Sequence, residues 1–202
     1  MRIVSGRFKR TPLAVGSRDG LRPTPSRVRE TLFDWLRHFI GDLSQASFLD
    51  MFAGSGALGI EAASNGAARV VSLEKDRRSA SAIAQVVDKL GARGTVRCEA
   101  ADAFAWLDKT DERFDVIFID PPFSLDMQVK AARAALGALK EEGLLYVESP
   151  TELLSDEALE SLGVVRVRSG SAGAVRFELL AKAGSGMAGL VRLSKEEKRS
   201  RK

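Results

Sequence analysis

The residues with the clearest chemical potential are Asp120, Pro121, Pro122 and Phe123, which close the apolar run Phe114-Asp115-Val116-Ile117-Phe118-Ile119. Such a run reads as a strand buried on both faces, and the residues after it fall at the carboxyl edge, where open α/β sheets bind ligands. Neither proline has an N–H to donate, so the turn offers carbonyl acceptors beside an acceptor carboxylate. Phe123 adds a flat face. Acceptors and a stacking ring suit a planar ligand with an amino group, such as a nucleobase. The plainer alternative is a proline turn that only ends a strand.

A second constellation is Asp50-Met51-Phe52-Ala53-Gly54-Ser55-Gly56-Ala57-Leu58-Gly59. It follows a strand and opens a helix, so glycines allow a tight turn and close ligand approach beside free helix N–H groups. Glu74, at the end of the next strand, is placed to bond two ribose hydroxyls. Gly54, Gly56 and Gly59 also satisfy G-x-G-x-x-G with an acid twenty residues on, so a nicotinamide dinucleotide fits this motif too. Asp50 favours S-adenosylmethionine, because a carboxylate there suits an ammonium and repels a pyrophosphate. Asp102, after the third strand, is suited to accept a bond from an adenine amino group.

These residues require an alternating frame. Strands are expected at 47–52, 69–73, 95–98, 114–119 and 144–147. Helices are expected from the glycine turn to about 65, and at 77–90, 103–107, 127–139 and 156–162. This alternation argues for an α/β, doubly wound, mostly parallel sheet. Segments 164–168 and 174–180 are joined at hairpin spacing, which completes seven strands and makes one C-terminal strand antiparallel. Ahead of the frame, extended segments at 2–5 and 13–15 suggest a basic hairpin, and 16–23 a loop. A helix capped by Thr24, with Pro25 in its first turn, carries Val28, Leu32, Trp35, Leu36 and Phe39 on one face. Arg27, Arg29 and Arg37 are expected mostly off that face.

The net charge of +4 conceals an asymmetry: residues 1–37 carry +6, residues 182–202 carry +5, and the stretch between carries −7. Basic ends around an acidic body suit a polyanion. The division expected is 1–40, a basic hairpin-plus-helix extension that docks RNA; 41–181, the catalytic domain; and 182–202, a basic tail whose composition predicts disorder. One cysteine, Cys98, excludes an internal disulfide and a cysteine-based zinc site, and one histidine, His38, excludes multi-histidine metal sites. No signal peptide or transmembrane run is recognisable, so a cytoplasmic location is the default.

Taken together, Arg22-Pro23-Thr24, Arg27-Val28-Arg29-Glu30, Asp50 to Gly56, Leu73-Glu74 and Asp120 to Phe123 resemble class I S-adenosylmethionine-dependent methyltransferases. More closely they resemble the RsmD-type 16S ribosomal RNA guanine-N2 methyltransferases, in the expected order over about residues 1–180. The resemblance implies a Rossmann-like methyltransferase fold, S-adenosylmethionine as donor, S-adenosylhomocysteine as product and no metal. It implies that Asp50, Ala53, Gly54 and Gly56 hold the methionine part. Glu74 would hold the ribose, Asp102 with Ala103 the adenine, and Ser55 and Lys75 would also bind the cofactor. Asp120, Pro121 and Phe123 would receive the guanine, and Arg7, Lys9, Arg10, Arg22, Arg27 and Arg29 would contact RNA. The implied partner is 16S ribosomal RNA in a small-subunit particle, met by a monomer. Adenine-N6 methylation, a nicotinamide-dependent oxidoreductase and a non-catalytic RNA-binding module are the alternatives.

Overall fold

The computed structural model describes residues 1–13, 24–121 and 125–190. Seven strands form one sheet in the order β3-β2-β1-β4-β5-β7-β6. They are β1 (Ser47–Asp50), β2 (Arg69–Leu73), β3 (Val96–Glu99), β4 (Phe114–Ile119), β5 (Leu139–Ser149), β6 (Val164–Ala172) and β7 (Val175–Lys182). β1 to β5 pair in parallel, whereas β7 runs antiparallel to both β5 and β6. The seven-stranded, mostly parallel arrangement expected from the alternation is therefore present, with β7 as the reversed strand.

The central strands are apolar on both faces because helices cover both. Phe48, Val70, Val116, Phe118 and Tyr146 face α1 (Ser26–Ile40), α2 (Ala57–Ser64) and α3 (Arg77–Lys89). Leu49, Val71, Ile117, Ile119 and Val147 face α4 (Ala103–Leu107), α5 (Leu125–Ala135) and α6 (Asp156–Leu162). α5 starts and ends earlier than its periodicity suggested, and a 3₁₀ turn, Leu136–Ala138, leads directly into β5.

The expected boundary near residue 40 is not a packing boundary. Val28, Leu32, Phe33 and Leu36 of α1 are fully buried, and Phe33 meets Phe118 of β4 edge-on at 6.2 Å. The N-terminal hairpin is present as a short ladder, with Ile3 N donating to Thr11 O at 3.0 Å and Leu13 N to Met1 O at 2.9 Å. It sits on the end of α2, where Arg7 N donates to Ser64 O at 2.7 Å. Gly6 makes this seat possible: its φ is +74° and a Cβ there would lie 1.9 Å from Ser64 O.

Two expectations change at the termini. Thr24 does not cap α1; Pro25 precedes the first turn, and the helix start takes no side-chain cap. Residues 183–190, assigned to the disordered tail, form a turn and a short helix. Glu142 caps it by accepting from Gly186 N and Met187 N at 3.0 Å each, and Ala188 is buried. Residues 191–202 lie outside the described residues.

Candidate active site

Three adjacent parallel strands each deliver a carboxyl group to the same sheet edge. Asp50 ends β1, Asp120 follows β4, and Glu148 lies near the end of β5. The register pairs Asp50 with Phe118 and Ile119 with Val147, so the three acids leave the sheet side by side. Glu74 follows β2 at the same edge.

The β1–β2 half is held by backbone N–H groups. Gly56 adopts φ +76° and starts α2, which only a residue without a Cβ does freely. Asp50 Oδ2 accepts from Gly59 N at 3.1 Å inside the first turn of that helix. Glu74 accepts from Gly54 N at 2.9 Å and from Asp76 N at 2.8 Å. Burial raises the Asp50 carboxyl to about 7; the Gly59 N–H opposes this, while Asp120 and Glu74 add to it. A carboxylate already occupies the helix N-terminus where a dinucleotide would seat its pyrophosphate. A buried acid poised to ionise suits a ligand that brings positive charge, as the sulfonium and ammonium of S-adenosylmethionine do.

Asp102 starts α4, and its Oδ1 accepts from Phe104 N at 3.1 Å and Ala105 N at 3.2 Å. Its other oxygen accepts from the exposed Lys75 Nζ at 3.1 Å, and these bonds lower its pKa. Phe52 and Phe104, not singled out in the sequence, form an edge-on ring pair at 6.2 Å beside this edge.

The β4–β5 half is held by hydroxyl groups instead. Asp120 is half-buried, and burial raises its carboxyl to about 6 while a hydrogen bond from Thr24 opposes the rise. Glu148 is buried; its Oε1 accepts from Thr24 Oγ1 and from Tyr146 Oη, each at 2.8 Å. Pro121 is buried beside Asp120, whereas Pro122, Phe123 and Arg22 lie outside the described residues. Thr24, Tyr146 and Glu148 are the site residues that sequence reasoning missed. No local motif joins positions 124 residues apart.

Arg29 requires a correction. It is 1% exposed and pairs with the fully buried Glu61 at 3.0 Å, so it is not available to RNA. It also donates to Arg2 O at 2.9 Å and to Thr24 O at 3.3 Å. Glu61 completes the anchor by accepting from Val4 N at 3.1 Å and Ser5 N at 2.8 Å. The available signals were Phe33 and Leu36, four and seven residues on along the same helix face, and a lone acid inside the apolar α2. By contrast Arg7, Lys9, Arg10 and Arg27 are exposed.

The family described as Conserved hypothetical protein 95 matches residues 1–180. The chain belongs to this family, that of the RsmD proteins. It is similar to the ribosomal RNA small subunit methyltransferase D of Escherichia coli strain K12, with 39% identity over 154 residues, covering 75% of this chain and 76% of that one. Among solved structures, it is similar to a putative methyltransferase from Escherichia coli with a TM-score of 0.75 and 31% identity, over 90% of this chain and 97% of that one. A putative methylase from Haemophilus influenzae gives a TM-score of 0.71 and 29% identity over the same shares. Among the described residues, no helix is long and apolar enough to cross a membrane.

Proposed function

We propose that this protein transfers a methyl group from S-adenosylmethionine to the exocyclic N2 amine of a guanine in 16S ribosomal RNA. The observation that carries the reading is the Asp50–Asp120 edge. An acid that closes the α2 N-terminus against phosphate lies one strand away from an acid-proline acceptor turn. Membership of the RsmD family and the names of the relatives support the substrate class. The enzyme would meet its substrate, as a monomer, in a small-subunit particle in the cytoplasm.

On this reading Asp50 and the turn through Ala53, Gly54, Ser55 and Gly56 hold the methionine part. Glu74, already bonded by the Gly54 and Asp76 N–H groups, takes the ribose with help from Lys75. Asp102 and Ala103 take the adenine, whose amino group competes with Lys75 for the outer Asp102 oxygen. The bound cofactor supplies a methyl group whose leaving group is a neutral thioether.

The guanine amine is a weak nucleophile because its lone pair is delocalised into the ring. Asp120 Oδ and the Pro121 carbonyl each accept one amine hydrogen, which favours tetrahedral geometry at nitrogen and turns the lone pair from the ring toward the methyl group. Attack of the nitrogen on the methyl carbon would release the thioether, and the extra amine proton would pass to the Asp120 carboxylate that accepts it and from there to water. Alignment is the main service of the protein. The base must leave its stack, and Phe123 offsets part of that cost, since stacking on an aromatic ring contributes roughly 1–3 kcal/mol. Arg7, Lys9, Arg10 and Arg27, with Arg22 of the undescribed segment, draw in the phosphate backbone.

The test is transfer of labelled methyl from S-adenosylmethionine to ribosomal RNA and to small subunits, followed by mapping of the modified base. Label on a guanine N2 is the expected result. Label on adenine N6 would overturn the base assignment. Absence of transfer together with tight nicotinamide dinucleotide binding would overturn the reaction.

A further inference from the structure

The N-terminal hairpin is held more firmly than a surface turn requires. Its tip, residues 6–10, seats on the last turn of α2: Arg7 N donates to Ser64 O at 2.7 Å, and Phe8 N to Ser64 Oγ at 2.8 Å. Asn65 Nδ2 donates to Ser5 Oγ at 2.8 Å, and Arg37 of α1 braces Asn65 by donating to its Oδ1 at 2.7 Å. Within the tip, Arg10 N donates to Ile3 O at 2.8 Å. Arg10 holds φ at +71°, and among the described residues it is the only non-glycine in that left-handed region. Glycine adopts this conformation freely, so an arginine there costs stability that glycine would not. Such a cost points to a use for the side chain itself.

The tip is cationic. Arg7, Lys9 and Arg10 are exposed, and the Arg7 guanidinium lies over the Phe8 ring at 5.3 Å, with Phe8 half-buried against the core. Helix α2 fixes how far these cations stand from the site. It begins at the active edge, where Gly59 N meets Asp50, and it ends at Ser64 beneath the tip. Its 8 residues, at about 1.5 Å each, separate tip and edge by about 12 Å. Asp120 follows β4 at that same edge, beside Asp50. A stacked nucleic-acid strand advances about 3.4 Å per phosphate, so the tip falls about three to four nucleotides from a base held at Asp120. The tip cations therefore stand too far away to contact the reacting amine, and what they can meet is flanking backbone.

We propose that the hairpin tip is an RNA exosite. Arg7, Lys9 and Arg10 hold the phosphate backbone of a helical segment of the substrate, apart from the nucleotide that is methylated, and they serve binding and not the chemical step. A seat this rigid presents its cations at fixed separations, which suits phosphates whose spacing is likewise fixed by stacking. This inference rests on the reading of the substrate as RNA, and it gives the hairpin a definite place along that substrate. The plain alternative is that the tip cations only offset the negative end of α2.

Two measurements on the full chain test it. One is binding of an RNA duplex of about twelve base pairs that lacks the target base. The other is steady-state methyl transfer to small subunits at saturating S-adenosylmethionine. Arg10→Gly removes one cation and relieves the left-handed strain. It should weaken duplex binding about threefold and lower the salt slope by about one, while the thermal midpoint holds or rises. In transfer the loss should fall on KM, with kcat within about twofold. The exposed Lys109 follows α4 on the opposite face of the sheet, and Lys109→Ala, which removes the same charge, should leave duplex binding unchanged. Unchanged duplex binding in Arg10→Gly would overturn the exosite, and an equal loss in Lys109→Ala would reduce the effect to net charge and overturn it too. A loss carried by kcat would place the tip at the chemical step, against the proposal. A lowered thermal midpoint in Arg10→Gly would make the tip a brace for α2 and remove the exosite. A wild type that binds the duplex through Arg10 but transfers no methyl would overturn the proposed reaction and leave the exosite standing.

Discussion

The two halves of the active edge hold their carboxyl groups by different means. Asp50 and Glu74 are fixed by backbone N–H groups of the glycine turn and its flanks, at most 20 residues away in sequence. Glu148 is fixed by the Thr24 hydroxyl from 124 residues away and by the Tyr146 hydroxyl. Backbone donors cannot rotate away, and the turn that aims them has no room for a Cβ at Gly56 or Gly59, so the first half is a fixed cradle. Hydroxyl donors can rotate and exchange partners, so the second half can respond to the protonation state of a neighbour. A cradle suits a cofactor that must always bind in one way; a responsive pair suits the place where a proton must be lost.

The contrast fails if the two halves cannot be separated by mutation. Asp120→Ala should lower methyl transfer by about a thousandfold while cofactor affinity, measured by calorimetry, stays within a few-fold; near-normal turnover would remove Asp120 from the chemistry. Breaking the anchor beneath the edge should act on stability instead. Arg29→Met leaves Glu61 buried without its partner and should cost about 3–5 kcal/mol in denaturant unfolding. The exposed Arg27→Ala should remain within about 0.5 kcal/mol.

In the cradle, Asp50→Asn should weaken S-adenosylmethionine binding by about tenfold to a hundredfold. The pH dependence supplies a sharper reading. A carboxyl raised to about 7 in the fold binds a proton that the unfolded chain has released, so Asp50 makes the ligand-free protein less stable as pH rises from about 4 to 7. A cation-bearing cofactor offsets that loss. Its stabilising thermal shift should therefore be larger at about pH 8 than at pH 6, and Asp50→Asn should flatten the difference. The smallest expected effect is charge reversal of Arg7, Lys9 and Arg10, which should weaken RNA binding and reduce its salt slope by about one for each phosphate no longer neutralised. Unchanged affinity would free the hairpin from any docking role.

Legibility in the sequence followed the range of the interactions. β4 and the glycine turn were readable because a mostly apolar run and a Gly-rich turn express local constraints. Arg29 was misplaced because it was read as one more basic residue off the apolar face of α1, whereas Phe33 and Leu36 put it on a buried face opposite Glu61. Residues 183–190 were misread for a similar reason. Their Gly-rich composition gives no periodicity, and the cap that orders them comes from Glu142, more than 40 residues earlier.

By itself, then, the sequence determined the order and type of the elements, the reversed strand and the acids at the strand ends. Those features follow from hydrophobic period and turn chemistry within a few residues. Only the tertiary structure decided which acids meet, that Thr24 bonds Glu148 in place of capping a helix, and that Arg29 is buried. These outcomes depend on side chains brought together by the parallel register of distant strands, and composition carries no record of that register.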